Sequence, residues 1–118
     1  MSIALQALRA RAAGPVFNGF PETLVCPIAS GTATWTTAEQ HELVTSHIAA
    51  NKPPVEKQAS NTGSGRCLKL DLPYYIVEIN KGASAMAFAY DKEKNVYEFC
   101  LATTTDLNGD GYNDQCST

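Results

Sequence analysis

Four cysteines, Cys26, Cys67, Cys100 and Cys116, constrain this 118-residue chain more than any other feature. Their number is even and their spacings are wide. None forms a C-x-x-C pair, so a zinc site or a thioredoxin-like centre is a poor account. Two disulfides made in an oxidising compartment account for the pattern better, and they point to a secreted protein. Four buried thiols in a cytosolic protein are the alternative. Three pairings are open from sequence alone. The pairing favoured here is Cys26–Cys116, tying the two ends, with Cys67–Cys100 joining two strands. A bridge closing about 90 residues restricts the unfolded chain by roughly 4 to 5 kcal/mol in the loop-entropy account.

The length suits one domain. A hydrophobic content of 44% separates the chain from disordered sequences. The formal net charge is −3, and Arg9, Arg11, Arg66 and six lysines are scattered. No broad basic surface announces nucleic-acid binding. No apolar run approaches the roughly 20 residues of a membrane helix, so no membrane partner is expected. The opening Met1-Ser2-Ile3, with Leu5, Leu8, Arg9 and Arg11 after it, has too short an apolar region for a secretory signal. Met1 reads as an expression start on a mature chain.

Residues 1–20 are Ala-rich and read as an N-terminal arm or short helix, broken at Gly14-Pro15; residues 21–118 read as the domain. Pro21 to Cys26 is extended and apolar, and Ser30 to Thr34 is turn-like. Thr36 and Glu39 make a capping box, which predicts a helix over 37–51. Gln40, Leu43, Val44, His47 and Ile48 fall on one face of it. Asn51 before Lys52-Pro53-Pro54 supplies a stop. His41-Glu42 followed by His47 imitates the zinc-protease pattern H-E-x-x-H. The second imidazole comes six residues on, not four, and points elsewhere, so no zinc site is assigned. His41 reads as solvated and His47 as packed or partly exposed.

Lys57 to Arg66 is a polar loop. Leu68, Leu70 and Leu72 alternate with Lys69 and Asp71 and read as a strand. Further strands are expected over 74–80, 85–90 and 96–103, with a hairpin loop at 91–95. One helix followed by four or five strands predicts an α+β domain with the helix on one face of an antiparallel sheet.

Near the end stands Asp106-Leu107-Asn108-Gly109-Asp110-Gly111-Tyr112-Asn113-Asp114. It reads D-x-N-x-D-G-x-x-D, the first nine positions of an EF-hand-type calcium loop. Asp106, Asn108, Asp110 and Asp114 would offer side-chain oxygens and Tyr112 its backbone carbonyl. Gly111 permits the sharp bend. Position 12 falls at Ser117 instead of a bidentate Glu, which sets affinity near the millimolar to tenth-millimolar range, roughly that of extracellular modules. A metal-free surface turn is the competing account, since Asn-Gly and Asp-Gly form turns unaided. Calcium is thus a candidate ligand, and no cofactor is required.

Pro73-Tyr74-Tyr75 enters a strand after an alternating segment. A later hairpin strand runs into Thr103-Thr104-Thr105, a loop and a terminal Cys. With an early Cys able to bridge to Cys116, these features resemble the small secreted guanyl-specific ribonucleases of fungi. Their relatives include ribotoxins and the ribonuclease-like effectors of plant-pathogenic fungi. The resemblance covers about residues 26 to 118 and implies a ribonuclease-like fold. It also implies where catalytic groups would stand, and they are missing there. The glutamate that follows the paired tyrosines is replaced by Ile76; Glu78 lies two residues on, about 6.5 to 7 Å away on the same strand face. The family's Tyr-x-His falls near residues 54–58, which hold no His. Its arginine falls near Ala85 or Met86, and its second histidine near Ala102 or Thr103.

RNA cleavage through a cyclic phosphate needs a base, an acid and a cation against the phosphate. The expectation is therefore a secreted effector on a non-catalytic ribonuclease-like scaffold. It would act as a monomer that binds a host protein, with RNA as the lesser candidate. Tyr74, Tyr75 and Trp35 are the candidate binding residues, with Tyr90 and Tyr97 as further aromatics. Two alternatives stand beside it. One is an active endoribonuclease using Glu78 with His41 or His47. The other is an extracellular calcium-stabilised binding module.

Overall fold

A computed structural model describes residues 14–63, 65–105, 107, 109, 111 and 113–118. The expected arm at 1–20 therefore lies largely outside the described residues, but its last part does not. Val16–Asn18 is a strand, β1. Next come the antiparallel hairpin β2 (Thr23–Ile28) and β3 (Gly31–Thr36), and helix α1 (Thr37–Ala49). The main-sheet strands β4 (Tyr74–Ile79), β5 (Ser84–Asp91) and β6 (Val96–Thr104) follow, and then the short β7 (Asp114–Gln115). The fold is α+β, with one described helix, a five-stranded sheet in the order β1-β6-β5-β4 with β7 also on β6, and a separate two-stranded sheet.

The main sheet is mixed, not antiparallel as expected. β1 runs parallel to β6, with Val16 opposite Val96 and Asn18 opposite Glu98. The other pairs are antiparallel. The expected turn at 30–34 is mostly strand: Thr32 and Thr34 pair with Pro27 and Val25, so a β-branched Thr/Ala run takes strand geometry once a partner lies alongside. The expected strand at Leu68–Leu72 does not form. Its carbonyls serve a neighbouring loop instead, Ser60 N–H donating to Leu70 O (2.9 Å) and Ala59 N–H to Leu72 O (2.8 Å).

Helix α1 starts as the capping box dictates. Thr36 Oγ1 accepts from Glu39 N–H (3.2 Å), and Glu39 Oε1 accepts from Thr36 N–H (2.9 Å). It ends two residues before Asn51, which takes φ +57° and turns the chain away. Gln40 and Val44 are its buried residues; Leu43, His47 and Ile48 are half-buried beside them. Against this face pack Leu24, Ile79, Met86, Phe88, Tyr97, Phe99 and Ala102 of the strands, forming the main core.

The other face of the sheet carries a smaller cluster. Tyr74, Ala87, Ala89 and Cys100 pack there under Ala59 and Cys67, with Leu70, Leu72 and Leu101 around them. A bulge organises it. Ala87 pairs with Leu101 and Phe88 with Phe99, leaving Cys100 unmatched. Cys100 and Leu101 thereby both face the small cluster, while Phe99 and Ala102 face the main core.

Both disulfides form, Cys26–Cys116 and Cys67–Cys100. The first joins β2 to the C-terminal segment, where Val25 and Ser117 also exchange backbone hydrogen bonds. The second joins β6 to the 3-10 turn Gly65–Cys67, so it staples a covering loop to the sheet instead of joining two strands. Among the described residues no helix is long and apolar enough to cross a membrane.

Candidate functional site

Strand alternation fixes what each face offers. In β4, Tyr75, Val77 and Ile79 turn toward the helix, and Tyr74, Ile76 and Glu78 turn away. Across the sheet, Glu78 stands opposite Ala85, and Ala85 opposite Thr103. Ile76 stands one step along, opposite Ala87. Of the paired alternatives for the missing groups, Ala85 and Thr103 share the face of Glu78, whereas Met86 and Ala102 are buried in the main core.

Glu78, Ala85 and Thr103 line a shallow cleft of about 130 Å³ with Ser84, Thr105 and Asn113. Hydroxyls, one carboxamide and one carboxylate are the chemistry of these residues. No Lys, Arg or His is among its described lining residues. These described residues offer neither an imidazole to exchange a proton nor a cation to hold a phosphate.

Both histidines are on the far side of the sheet. His47 meets the edges of Tyr75 (6.0 Å between centroids) and Phe88 (5.8 Å). His41, expected to be solvated, stacks flat on Phe17 at 3.6 Å and meets Phe20 edge-on at 5.3 Å. That contact was hidden because it depends on β1, whose place in the sheet is set by a distant strand. Burial holds both imidazoles below the ordinary histidine value, and the charge of Lys52 lowers His47 further.

The expected binding aromatics divide. Tyr74 is only 7% exposed and belongs to the small cluster, so it serves packing and not an interface. Tyr75 is half-buried, stacked on Phe88 at 5.2 Å, and burial raises its phenol pKa. Tyr97 is buried and packs against Tyr90 at 4.4 Å. Trp35 is half-buried and lines a groove of about 460 Å³ with Glu39, Glu42, Leu43, His47 and Val77. Its indole N–H donates to Asn80 Oδ1 (3.1 Å).

That bond begins a relay the sequence did not announce. Asn80 Nδ2 donates to Ser84 Oγ (2.9 Å), and Ser84 Oγ to the buried Thr104 Oγ1 (3.1 Å). Thr104 Oγ1 in turn donates to Pro27 O (2.8 Å). The relay ties the β2–β3 hairpin to the main sheet.

Of the candidate calcium loop, Asp106, Asn108, Asp110 and Tyr112 lie outside the described residues. Gly109 and Gly111 both take positive φ, +71° and +88°, as a tight turn requires. Asp114 opens β7, and its Oδ2 accepts from Leu107 N–H (3.2 Å). Among the described residues no three His, Cys, Asp or Glu side chains gather as a metal site.

No family model, no curated protein and no solved structure matches this chain.

Proposed function

We propose that this protein is a secreted effector of a plant-pathogenic fungus, built on a ribonuclease-like scaffold without nuclease activity, and that it acts by binding a host protein. The observation that carries the non-catalytic reading is the row Glu78–Ala85–Thr103. It lies on the face where the resemblance puts a nuclease centre, and it holds one carboxylate, no imidazole and no guanidinium. Acid–base cleavage of RNA needs two proton-transfer groups and a counter-charge, and one exposed carboxylate supplies neither set. The two disulfides support an oxidising origin. A net charge of −3 favours a protein over an RNA partner.

The experiment is incubation of the oxidised chain with single-stranded RNA and with guanylyl dinucleotides, followed by chromatography for 2′,3′-cyclic guanylate. No such product is expected. Its release at a rate abolished by Glu78→Ala would overturn the reading in favour of an endoribonuclease.

A further inference from the structure

We propose that Arg66 is a seat for a carboxylate, through which an acidic side chain of the partner protein docks. The inference rests on the reading of the chain as a binding protein and names one residue that anchors the partner. Arg66 sits in the 3-10 turn Gly65–Cys67, at a groove of about 600 Å³ lined also by Gly19, Pro21, Glu22, Leu101 and Gln115. The groove runs along β6 between the end of β1 pairing at Glu98 and the start of β7 pairing at Thr103.

The guanidinium is held in place before any partner arrives. Gly65 takes φ +53° and lies so close to the Cys100 carbonyl that a side chain there would overlap it. The next residue but one, Cys67, is covalently joined to Cys100. The arginine head lies against Gly19, whose missing Cβ leaves the room. Its Nη1 donates to Phe99 O (2.8 Å) and to Asn18 O (3.3 Å). These two bonds use both protons of Nη1.

Among the described residues, Nε and Nη2 have no hydrogen-bond partner. Together they form the side-on edge of the guanidinium, which matches a carboxylate with two parallel hydrogen bonds. Arg66 as a whole is exposed. Because the side chain is already tethered, little rotamer freedom is lost on binding.

The surroundings select the kind of anion. Arg66 is the one cation among the groove's described lining residues, and Glu22 lines it too. A nucleic-acid backbone needs several cations in register. A single Asp or Glu side chain flanked by apolar residues fits one guanidinium beside Pro21 and Leu101.

The test uses the full oxidised, isotope-labelled chain and two synthetic probes, acetyl-Leu-Glu-Leu-amide and acetyl-Leu-Gln-Leu-amide. The readouts are the NMR signals of Arg66 Nε–H and of the Leu101 and Gln115 amides. The glutamate peptide should shift all three saturably, and the glutamine peptide should bind about tenfold more weakly or worse. Arg66→Lys, which keeps the charge and loses the side-on pair, should weaken the glutamate peptide by a similar factor. An unmoved Arg66 Nε–H, or equal responses to both peptides on the unaltered chain, would overturn the proposal without recourse to any variant. Stronger shifts of the same signals by the dinucleotide UpU would also overturn it, giving the groove to nucleic acid. Cyclic guanylate release would defeat the non-catalytic reading and leave these peptide results standing. A silent Arg66 would remove this seat and leave that reading intact.

Discussion

Glu78 and His47 lie on opposite faces of the main sheet. Glu78 turns away from α1 in β4, while His47 packs on the α1 side against Tyr75 and Phe88. No proton can pass directly between them, so a general acid–base pair built from these two residues is not available. Substitution of either should leave the rate of RNA hydrolysis at the buffer background. Single-stranded RNA assayed with Glu78→Ala and His47→Gln beside the parent chain checks this. A parental rate above background that falls in both variants would refute it.

Both bridges should be present in the protein made under oxidising conditions, and mass measurement should find four hydrogens fewer than in the fully reduced chain. The Cys26–Cys116 bridge spans 90 residues and Cys67–Cys100 spans 33. Loop entropy then assigns roughly 4 to 5 kcal/mol to the first and roughly 3 to 4 to the second. Denaturant unfolding of the two double-serine variants should rank them in that order. The reverse order would mean that the covering loop, not chain closure, dominates.

His41 and His47 titrate below the usual histidine value, chiefly through burial. For a base with a depressed folded pKa, the unfolded chain binds protons first as pH falls. The associated stability is complete above a pH of about 6.5 and is lost as pH falls through the lower folded value. The melting temperature should therefore drop between about pH 7 and pH 5. His41→Phe, which keeps a ring against Phe17, should gain on the parent as pH falls. Parallel melting profiles for the two chains would contradict this.

Thr104 is buried and links the hairpin to the sheet through Ser84 and Pro27. Thr104→Val keeps the shape, removes the hydroxyl and strands Pro27 O and Ser84 Oγ. The expected loss is about 1 to 3 kcal/mol in denaturant unfolding. Trp35, at the far end of the relay through Asn80, should report the change in its fluorescence. A loss below roughly 0.5 kcal/mol would show that the relay is not a structural tie.

Local chemistry was legible in the sequence, and distant pairing was not. Thr36 and Glu39 announced the start of α1 because the capping box is complete within four residues. Tyr74 to Ile79 was readable from its composition and from the turn after it. β1 was unreadable because three residues, Val16 to Asn18, acquire a strand only from β6, some 80 residues on. The alternation of Leu68, Leu70 and Leu72 misled for a related reason. Leu70 and Leu72 do cover apolar surface, but they do so as a lid, and Leu68 is left 52% exposed. Arg66 gave no sequence signal, since its seat is assembled from Asn18, Gly19 and Phe99.

The parallel pairing of β1 with β6 sets the order of events during synthesis. β1 leaves the ribosome about 80 residues before its partner strand β6, and Cys26 waits 90 residues for Cys116. The N-terminal segment must remain unpaired until the C-terminal segment emerges. Contacts of such long separation close slowly, on a scale of milliseconds to seconds. Folding of this domain is thus completed only after β6 and Cys116 have been made. A chain cut short before β6 would leave Phe17 and Phe20 without Tyr97 and Phe99, the rings of β6 they pack on, which marks it for retention by chaperones.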